Sequence, residues 1–281
     1  MSAIIMDGRS LADHIMEGLK VRSAEIMEKA ERPARLHIIR FGEDDASNAY
    51  IQQKVKACAK IGIDCKITKL DWEEDSYTID KIEEVLAYEE YDPSDGVIVQ
   101  RPIPDWIGDF DESFDNYQDS DGLKLIHLGM LVRDKECQIA PCTAKGILTL
   151  LETYHVPLKG KHAVIVGRSA LVGKPTALLL LNKDCTVTIC HSQTEDLPSF
   201  TKQADILVSA TGIPDLITKD MVKPGAAVID VGITRKDGHL HGDVDFMSVK
   251  DVAGWITPVP GGVGPMTVAM LMKNLIDSTG F

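Results

Sequence analysis

The spacing of hydrophobic residues in the first part of the chain changes repeatedly between a helical and an extended period. Leu11, Ile15, Leu19 and Ile26 recur at helical spacing, which predicts a helix over residues 9–30. The segments that follow are predicted as a strand over 36–41, a helix over 46–61, a strand over 65–70, a helix over 76–91 and a strand over 96–100. Strands that alternate with helices in this way predict a parallel sheet covered by helices.

A second α/β series follows in the later part of the chain. A helix is predicted after Pro141, and an apolar helix is predicted over 266–276, after a loop rich in Gly and Pro. The predicted strands between them are 162–166, 186–190, 205–209, 227–231 and 255–259. We therefore expect an α/β fold of two domains, 1–147 and 148–265, with residues 266–281 packing back on the first domain.

The composition is that of a globular protein with a large negative charge. Of the 281 residues, 44% are hydrophobic and 26% are charged, and the formal net charge is −13. Such a charge repels a nucleic-acid backbone, so nucleic-acid binding is disfavoured. No apolar run is long enough to span a bilayer, and the N-terminal segment reaches charged residues before an apolar stretch forms. We therefore expect no membrane association and a cytoplasmic location.

Cysteine and histidine residues give little reason to expect a metal site. The cysteines form no C-x-x-C pair, so we expect buried free thiols at Cys58, Cys65, Cys137, Cys142, Cys185 and Cys190. His239 and His241 form an isolated H-x-H after the turn residues 236–238, and an exposed hairpin is favoured over a metal site. No metal is therefore predicted.

A loop between a predicted strand and a predicted helix has the features of a phosphate cradle. The strand ends at Gly167, and an apolar helix over 176–181 follows Gly173 and Pro175. Free backbone N–H groups and the positive end of the helix would face an anion there, and glycine permits close approach. The glycines stand six positions apart, which departs from G-x-G-x-x-G, and Arg168 and Pro175 exclude a P-loop. The alternative is an ordinary glycine turn.

The end of the next predicted strand indicates which dinucleotide would bind. An NAD-binding fold expects Asp or Glu there, to hold the ribose 2′-hydroxyl. This chain has His191 and Ser192 at that point and no carboxylate before Glu195, whereas Arg168 lies in the preceding turn. A cation and hydroxyl groups suit a 2′-phosphate, which favours NADP over NAD. His191 could equally be a strand-end residue without a ligand.

Five further segments carry residues suited to binding or catalysis. They are Tyr50-x-x-x-Lys54 on one helix face, Val99-Gln100-Arg101-Pro102 at a strand end, Asp119-Ser120-Asp121-Gly122, Pro141-Cys142-Thr143, and a loop from Thr257 to Thr267 that contains Pro260-Gly261-Gly262. With the Gly167-Arg168-Ser169 loop, this ordered set resembles the bifunctional methylenetetrahydrofolate dehydrogenase/methenyltetrahydrofolate cyclohydrolase family over nearly the whole chain. Three positions depart from the family pattern: Arg101 replaces an aliphatic residue, Ala144 a proline and Leu123 an aromatic residue.

The resemblance implies a fold and two activities. The second domain would be a Rossmann-like dinucleotide-binding domain, with the active site in the cleft between the domains. The enzyme would oxidise 5,10-methylenetetrahydrofolate with NADP and hydrolyse the methenyl product to 10-formyltetrahydrofolate, within one-carbon metabolism and purine biosynthesis. It would act on small-molecule folates and form a homodimer through the nucleotide-binding domain.

Four residues receive catalytic roles from the resemblance. Lys54 would activate the attacking water or move its proton, which a partly desolvated lysine can do near neutral pH. From the spacing of residues alone, without the resemblance, Lys54 is better interpreted as a solvent-exposed lysine on a helix. Tyr50 would pack its ring on the folate and direct its hydroxyl towards Lys54, and Gln100 would hydrogen-bond Lys54. Asp121 would accept hydrogen bonds from the amino-pyrimidine edge of the pterin; without the family pattern, its segment is a turn.

The remaining implied contacts are assigned to the substrate and to the cofactor. Besides the four catalytic residues, the substrate-binding positions are Val99, Pro260, Gly261 and Gly262. The cofactor-binding positions are Gly167, Arg168, Ser169, Val172, Gly173, His191, Ser192, Thr211, Gly212 and Ile233. Two other functions are consistent with parts of the pattern: another NADP-linked dehydrogenase on a similar scaffold, and a non-catalytic dinucleotide-binding protein. The first does not explain Tyr50 and Lys54 together with Gln100 and the Pro-Gly loop. The second has no need of the set formed by Lys54, Gln100 and Asp121.

Overall fold

The computed structural model describes residues 2–43, 45–73, 80–86, 94–108, 110, 117–135, 139–236 and 238–280. The strands are β1 Ile4–Ile5, β2 Arg35–Phe41, β3 Asp64–Leu70, β4 Gly96–Gln100, β5 His162–Val166, β6 Thr186–Cys190, β7 Ile206–Ser209, β8 Ala227–Asp230, β9 Thr234–Lys236, β10 His239–His241 and β11 Trp255–Ile256. The helices are α1 Gly8–Ala30, α2 Asp45–Ile61, α3 Leu125–Val132, α4 Cys142–Thr153, α5 Gly173–Leu181, α6 Leu197–Thr201, α7 Phe246–Val249 and α8 Val263–Ser278. Residues 80–86 are also helical; the rest of the helix predicted over 76–91 lies outside the described residues.

The chain forms two compact units, which we call the nucleotide unit and the folate unit after their predicted ligands. The nucleotide unit comprises Met1–Asp13, Met130–Glu136 and Pro141–Met270, and the folate unit comprises His14–Gly129, Cys137–Ala140 and Leu271–Phe281. The division differs from the predicted one at residues 1–13, 130–136 and 141–147, and within the last helix. The first difference has a simple cause, because β1 pairs with β11 in the sheet of the nucleotide unit.

The folate unit contains the predicted parallel sheet. Its order is β3-β2-β4, and both pairs of strands are parallel. A buried cluster that includes Ile39, Val97 and Phe110 covers it. The carboxyl ends of β2 and β4 lie side by side, because Arg40 pairs with Gln100 in register. Functional side chains at the ends of these strands are therefore neighbours.

The nucleotide unit contains a six-stranded sheet of order β1-β11-β8-β7-β5-β6, in which every pair is parallel. The chain passes from β5 to β6 on one side and then to β7 on the other side. The carboxyl end of β5 is consequently a topological switch point, which is where open α/β sheets bind ligands. The predicted phosphate cradle begins there, at Gly167.

Two smaller predictions can be compared with the structure. β9 and β10 form the predicted antiparallel hairpin, and His239 is exposed on it. The described cysteines are free thiols, and they are buried except for Cys65, which is half-buried at the surface of β3; Cys137 lies outside the described residues. Within the described ranges, no helix combines the length and the apolar character needed to cross a membrane.

Candidate active site and dinucleotide cradle

The centre of the folate unit's candidate site is a lysine–glutamine pair. Lys54 lies on α2, and its Nζ donates a 3.0 Å hydrogen bond to Oε1 of Gln100, the last residue of β4. Both side chains are half-buried. The structure therefore forms the bond that was expected between these residues. An amide oxygen that accepts a hydrogen bond from Nζ fixes the position of Lys54 without adding a charge.

Tyr50 lies one turn before Lys54 on the same helix and is 43% exposed. Its hydroxyl makes no hydrogen bond to Lys54 within the described contacts, so the expected approach of these two groups is not formed here. An exposed ring at this position remains available to pack against a planar ligand.

The start of α2 is tied to the ends of the neighbouring strands. The carbonyl oxygen of Arg101 accepts hydrogen bonds from Ser47 Oγ at 3.0 Å and from Gln100 Nε2 at 2.9 Å. The guanidinium group of Arg40, which is only 9% exposed, donates to the side chain of Asn48 and to the carbonyl oxygen of Gly42. These contacts hold the helix that carries Tyr50 and Lys54 against the sheet. Sequence reasoning missed Arg40, because a charged residue inside an apolar strand gives no local indication of its partner.

Asp119 and Asp121 have different surroundings, although they are two positions apart. Asp119 is 3% exposed, and its carboxylate accepts the backbone N–H groups of Gly122 at 3.0 Å and Lys124 at 2.9 Å. Asp121 is half-buried, and among the described residues no group bonds to its carboxylate. It faces a depression that Val99 also lines. Asp119 therefore shapes the turn, and Asp121 is the carboxylate available to a ligand.

The segment that carries Asp121 is fixed along the free edge of β4. Val97 and Asp119 form a parallel bridge, and a Cβ on Gly96 would stand 1.9 Å from Oγ of Ser120. Only glycine permits this close approach. Asn274 of α8 is fully buried, and its Nδ2 donates to the carbonyl oxygens of Ser120 at 3.0 Å and Ala140 at 2.9 Å.

The cradle in the nucleotide unit depends on two glycines that touch. A Cβ on Gly173 would stand 2.2 Å from the carbonyl oxygen of Gly167, and a Cβ on Gly167 would stand 2.5 Å from that of Ala210. Gly167 also has φ of 123°, which disfavours other residues. Oγ of Ser169 accepts the backbone N–H of Val172 at 3.1 Å and stabilises the turn. This tight loop at the start of α5 fits a dinucleotide phosphate.

The second part of the cradle lies on the neighbouring strand. Backbone N–H of Gly167 donates to the carbonyl oxygen of Cys190, so the loops after β5 and β6 are adjacent. Arg168 and Ser192 are exposed there. His191 is held in a local turn, because its Nδ1 accepts the backbone N–H of Gln193 at 3.2 Å.

The third part lies at the ends of β7 and β8. Thr211, Gly212 and Ile233 follow these strands, and Gly212 and Ile233 are exposed. Two buried aspartates that sequence reasoning missed, Asp230 and Asp243, lie beside them. Burial raises the pKa of Asp230 to about 7, although three backbone N–H groups that bond to it act in the opposite direction.

The glycine loop near the end of the chain has a defined shape. A Cβ on Gly262 would stand 2.6 Å from the carbonyl oxygen of Pro258, and a Cβ on Gly8 would stand 1.9 Å from that of Gly262. The backbone N–H of Arg9 donates to the carbonyl oxygen of Gly261 at 2.9 Å. The loop is thus packed against the first turn of α1 and is not a flexible connector.

The fold and these residues define a class: a two-unit α/β enzyme with a dinucleotide cradle in one unit and a lysine-centred site in the other. Residues 6–113 match the family "Tetrahydrofolate dehydrogenase/cyclohydrolase, catalytic domain", and residues 141–280 match its "NAD(P)-binding domain". The chain belongs to the tetrahydrofolate dehydrogenase/cyclohydrolase family.

Similar proteins cover the whole chain. The bifunctional protein FolD of Caldanaerobacter subterraneus is 42% identical over 99% of this chain and 97% of its own length. The FolD methylenetetrahydrofolate dehydrogenase/cyclohydrolase structure from Campylobacter jejuni has a TM-score of 0.89 and 38% identity, covering 99% and 98% of the two chains. The enzyme from Trypanosoma brucei, solved with NADP and an inhibitor, has a TM-score of 0.91 and 35% identity, covering 99% and 97%. The predicted family and fold class are therefore confirmed.

Proposed function

We propose that this chain oxidises 5,10-methylenetetrahydrofolate with NADP and hydrolyses the resulting 5,10-methenyltetrahydrofolate to 10-formyltetrahydrofolate. The observation that carries the proposal is the Lys54–Gln100 hydrogen bond of 3.0 Å at the carboxyl end of β4, in a chain of this family. A non-catalytic dinucleotide-binding protein has no use for an oriented lysine and, in the same unit, a carboxylate available to a ligand. A dehydrogenase for hydroxy or amino acids has no use for Asp121 as a partner for a pterin.

In the hydrolytic step, a water molecule attacks the methenyl carbon and loses a proton. Lys54 accepts or relays that proton, and Gln100 keeps its Nζ in place. The bond between that carbon and N5 then breaks and N5 takes up a proton, so that the formyl group remains on N10. Asp121 accepts hydrogen bonds from the amino group and ring N–H of the pterin, which fixes the orientation of the substrate. The exposed ring of Tyr50 packs against the folate.

In the oxidative step, the folate nitrogens supply the electrons that expel a hydride, so the chain does not need a strong acid or base. The bound dinucleotide supplies the hydride acceptor. The residues of the nucleotide unit position that acceptor, because the Gly167–Gly173 turn and the start of α5 receive the phosphates. Arg168 and Ser192 are exposed on adjacent loops, where they can bind a 2′-phosphate, and this supports NADP over NAD.

The proposal is tested by mixing the purified protein with 5,10-methylenetetrahydrofolate and either NADP or NAD. Absorbance of reduced nicotinamide, with methenyl-folate that rises and then decays, is the expected result with NADP. Hydrolysis is measured separately, by adding methenyltetrahydrofolate without dinucleotide. Absence of reduction with both dinucleotides would contradict the oxidative half of the proposal, and persistent methenyl-folate would contradict the hydrolytic half.

The role of Lys54 is tested by Lys54→Ala. Loss of a group that transfers the proton is expected to lower the hydrolysis rate at least about 100-fold. The oxidation should survive, because it uses no protonated side chain. Lys56→Ala is the matched control, since Lys56 lies on the same helix and is exposed. Wild-type hydrolysis in Lys54→Ala would remove Lys54 from the mechanism.

We also propose that the protein works in the cytoplasm, in one-carbon metabolism that serves purine biosynthesis, and that two copies pair through the nucleotide unit. An edge strand supports the pairing: β6 ends the six-stranded sheet, and its Ile189 is 40% exposed. Sedimentation of the purified protein distinguishes a dimer from a monomer, and replacement of Ile189 by Lys should shift the population towards the monomer.

A further inference from the structure

The carboxylate of Asp243 fastens the end of β7. Asp243 is completely buried, and its Oδ2 accepts hydrogen bonds from Oγ of Ser209 at 2.9 Å, the backbone N–H of Thr211 at 2.6 Å and Oγ1 of Thr211 at 2.9 Å. Ser209 is the last residue of β7, and Thr211 begins the loop that follows. Three donors converge on one oxygen, so the direction in which this loop leaves the sheet depends on that side chain.

Asp230 holds the backbone of the segment that carries Asp243. Asp230 ends β8, and its carboxylate accepts the backbone N–H groups of Asp243 at 2.8 Å, Val244 at 3.0 Å and Gly232 at 3.1 Å. A chain of hydrogen bonds therefore runs from the end of β8, through Asp230 and Asp243, to the end of the adjacent β7. The two strand ends are fixed relative to each other by side chains and not only by the sheet.

Two glycines make room for these carboxylates. A Cβ on Gly232 would stand 1.9 Å from Oδ1 of Asp243, and a Cβ on Gly242 would stand 1.9 Å from Oδ2 of Asp230. Each carboxylate thus lies directly against the main chain of the segment that carries the other aspartate. Such close approach leaves little freedom for the loops after β7 and β8.

The fixed loops are the ones that carry Thr211, Gly212 and Ile233. The backbone N–H of Ile213 donates to Oγ1 of Thr211 at 3.2 Å, and Oγ1 of Thr234 donates to the carbonyl oxygen of Gly212 at 2.9 Å. The position of exposed Gly212 is therefore set on one side by Thr211, which Asp243 holds, and on the other side by Thr234. A ligand that contacts this exposed surface meets a surface shaped in advance.

We infer that Asp243 is a positioning residue for the dinucleotide: through Ser209 and Thr211 it sets the loop after β7 that is predicted to contact the cofactor. This inference rests on the proposed function and on the cofactor positions Thr211, Gly212 and Ile233 that the family resemblance implies. Asp243 acts on affinity for the dinucleotide and has no part in folate hydrolysis. Its carboxylate is shielded from the cofactor, so its action passes through the loop.

The two oxygens of Asp243 have different surroundings, and this difference makes Asp243→Asn a suitable conservative variant. Oδ1 is buried and accepts no hydrogen bond from the described residues, whereas Oδ2 accepts three. Asp243→Asn can place its amide oxygen at the Oδ2 position and its NH2 group at the unpaired position. Asparagine is therefore expected to preserve the loop, whereas Asp243→Ala removes all three hydrogen bonds.

The experiment measures the Kd of NADP by calorimetry, the KM of NADP, kcat for oxidation, and hydrolysis without dinucleotide. Asp243→Ala is expected to raise the Kd and the KM at least about tenfold, since three hydrogen bonds that hold the loop are lost together. Hydrolysis and kcat at saturating NADP should stay within about twofold of the wild type. Asp243→Asn should restore the Kd to within about threefold. A residue with only a structural role would not produce this split between KM and kcat.

Ser209→Ala is the second variant, in case Asp243→Ala does not fold. Ser209 is buried outside the proposed contact set, so its loss removes one hydrogen bond and should raise the Kd about threefold to tenfold. Ser248→Ala is the matched control, because Ser248 also donates to an aspartate, Asp245, at the start of α7. An unchanged Kd in Asp243→Ala and Ser209→Ala, with normal binding by the wild type, would overturn the inference. Absence of dinucleotide binding by the wild type would instead contradict the proposed function.

Discussion

Replacement of Gly173 by alanine tests the dinucleotide cradle with a single methyl group. Gly173 begins α5, and its φ is not in the left-handed region, so alanine suits the backbone conformation. The added Cβ would stand 2.2 Å from the carbonyl oxygen of Gly167 and 3.0 Å from the backbone nitrogen of Arg168. Ordinary contact begins near 3.4 Å, so the loop has to move by about 1.2 Å.

A shift of this size changes the site where the phosphates would bind. Overpacking a close contact costs about 1–3 kcal/mol. If the loop must return to its wild-type geometry to bind NADP, the strain reappears in the complex. The binding free energy is then weaker by the same amount, which corresponds to a roughly 5- to 150-fold rise in Kd. Hydrolysis of methenyltetrahydrofolate should be unaffected, because its residues lie on α2, β4 and the Asp121 segment. Calorimetric titration with NADP and the dinucleotide-free hydrolysis assay measure both quantities.

The matched control is Gly18→Ala. Gly18 lies inside α1, and a Cβ there would meet nothing within 4 Å. This change should leave the Kd of NADP unchanged and stabilise the helix by about 0.5–1 kcal/mol. Wild-type affinity for NADP in Gly173→Ala would refute the reasoning, because it would show that the contact between Gly167 and Gly173 has no bearing on the ligand.

Two further predictions concern stability. Burial raises the pKa of Asp230 to about 7, so between about pH 4 and 7 the native state keeps a proton that the unfolded chain has lost. The free energy of unfolding should therefore fall as the pH rises through that range, by up to about 4 kcal/mol. Denaturant titrations at pH 5 and 8 should show a smaller fall in Asp230→Asn, and equal falls would contradict the assignment. Asn274→Leu removes the donor to the carbonyl oxygens of Ser120 and Ala140. Urea denaturation should show a free energy of unfolding lower by about 3 kcal/mol, and the KM for methenyl-folate should rise. Unchanged stability would show that these carbonyl groups find other donors.

Much of the fold could be predicted from short-range patterns. The predicted strands 96–100, 162–166 and 186–190 agree with the structure at both ends, because each is a short run rich in β-branched residues with charged or glycine residues close to its ends. β1 was not predicted, because a strand of two residues is too short to show a periodicity. Its pairing with β11 also explains why the first residues cluster with the nucleotide unit.

In the candidate site, too, some features could be predicted from the sequence and others depend on contacts that only the structure shows. The placement of Lys54 beside Gln100 followed from the family resemblance, and a parallel sheet brings the required elements together. The different surroundings of Asp119 and Asp121 could not be predicted from the sequence, because the same short turn contains both carboxylates. Only the structure shows that backbone N–H groups occupy Asp119 and leave Asp121 for a ligand.

The glycines that permit close contacts explain why one part of the nucleotide unit was predicted and another was missed. Gly167 and Gly173 lie six positions apart in one loop, between a strand and a helix, so their spacing could be compared with known phosphate-binding turns. Gly232 and Gly242 make equally close contacts, but each accommodates an aspartate from the other side of the β9–β10 hairpin. Each glycine meets its aspartate only after that hairpin forms. In the sequence, the contacts are indicated only by the short segments Asp230-Val231-Gly232 and Gly242-Asp243, each of which contains one glycine and one aspartate. A glycine next to an aspartate at the end of a buried parallel strand is therefore a reason to look for a carboxylate packed against the main chain.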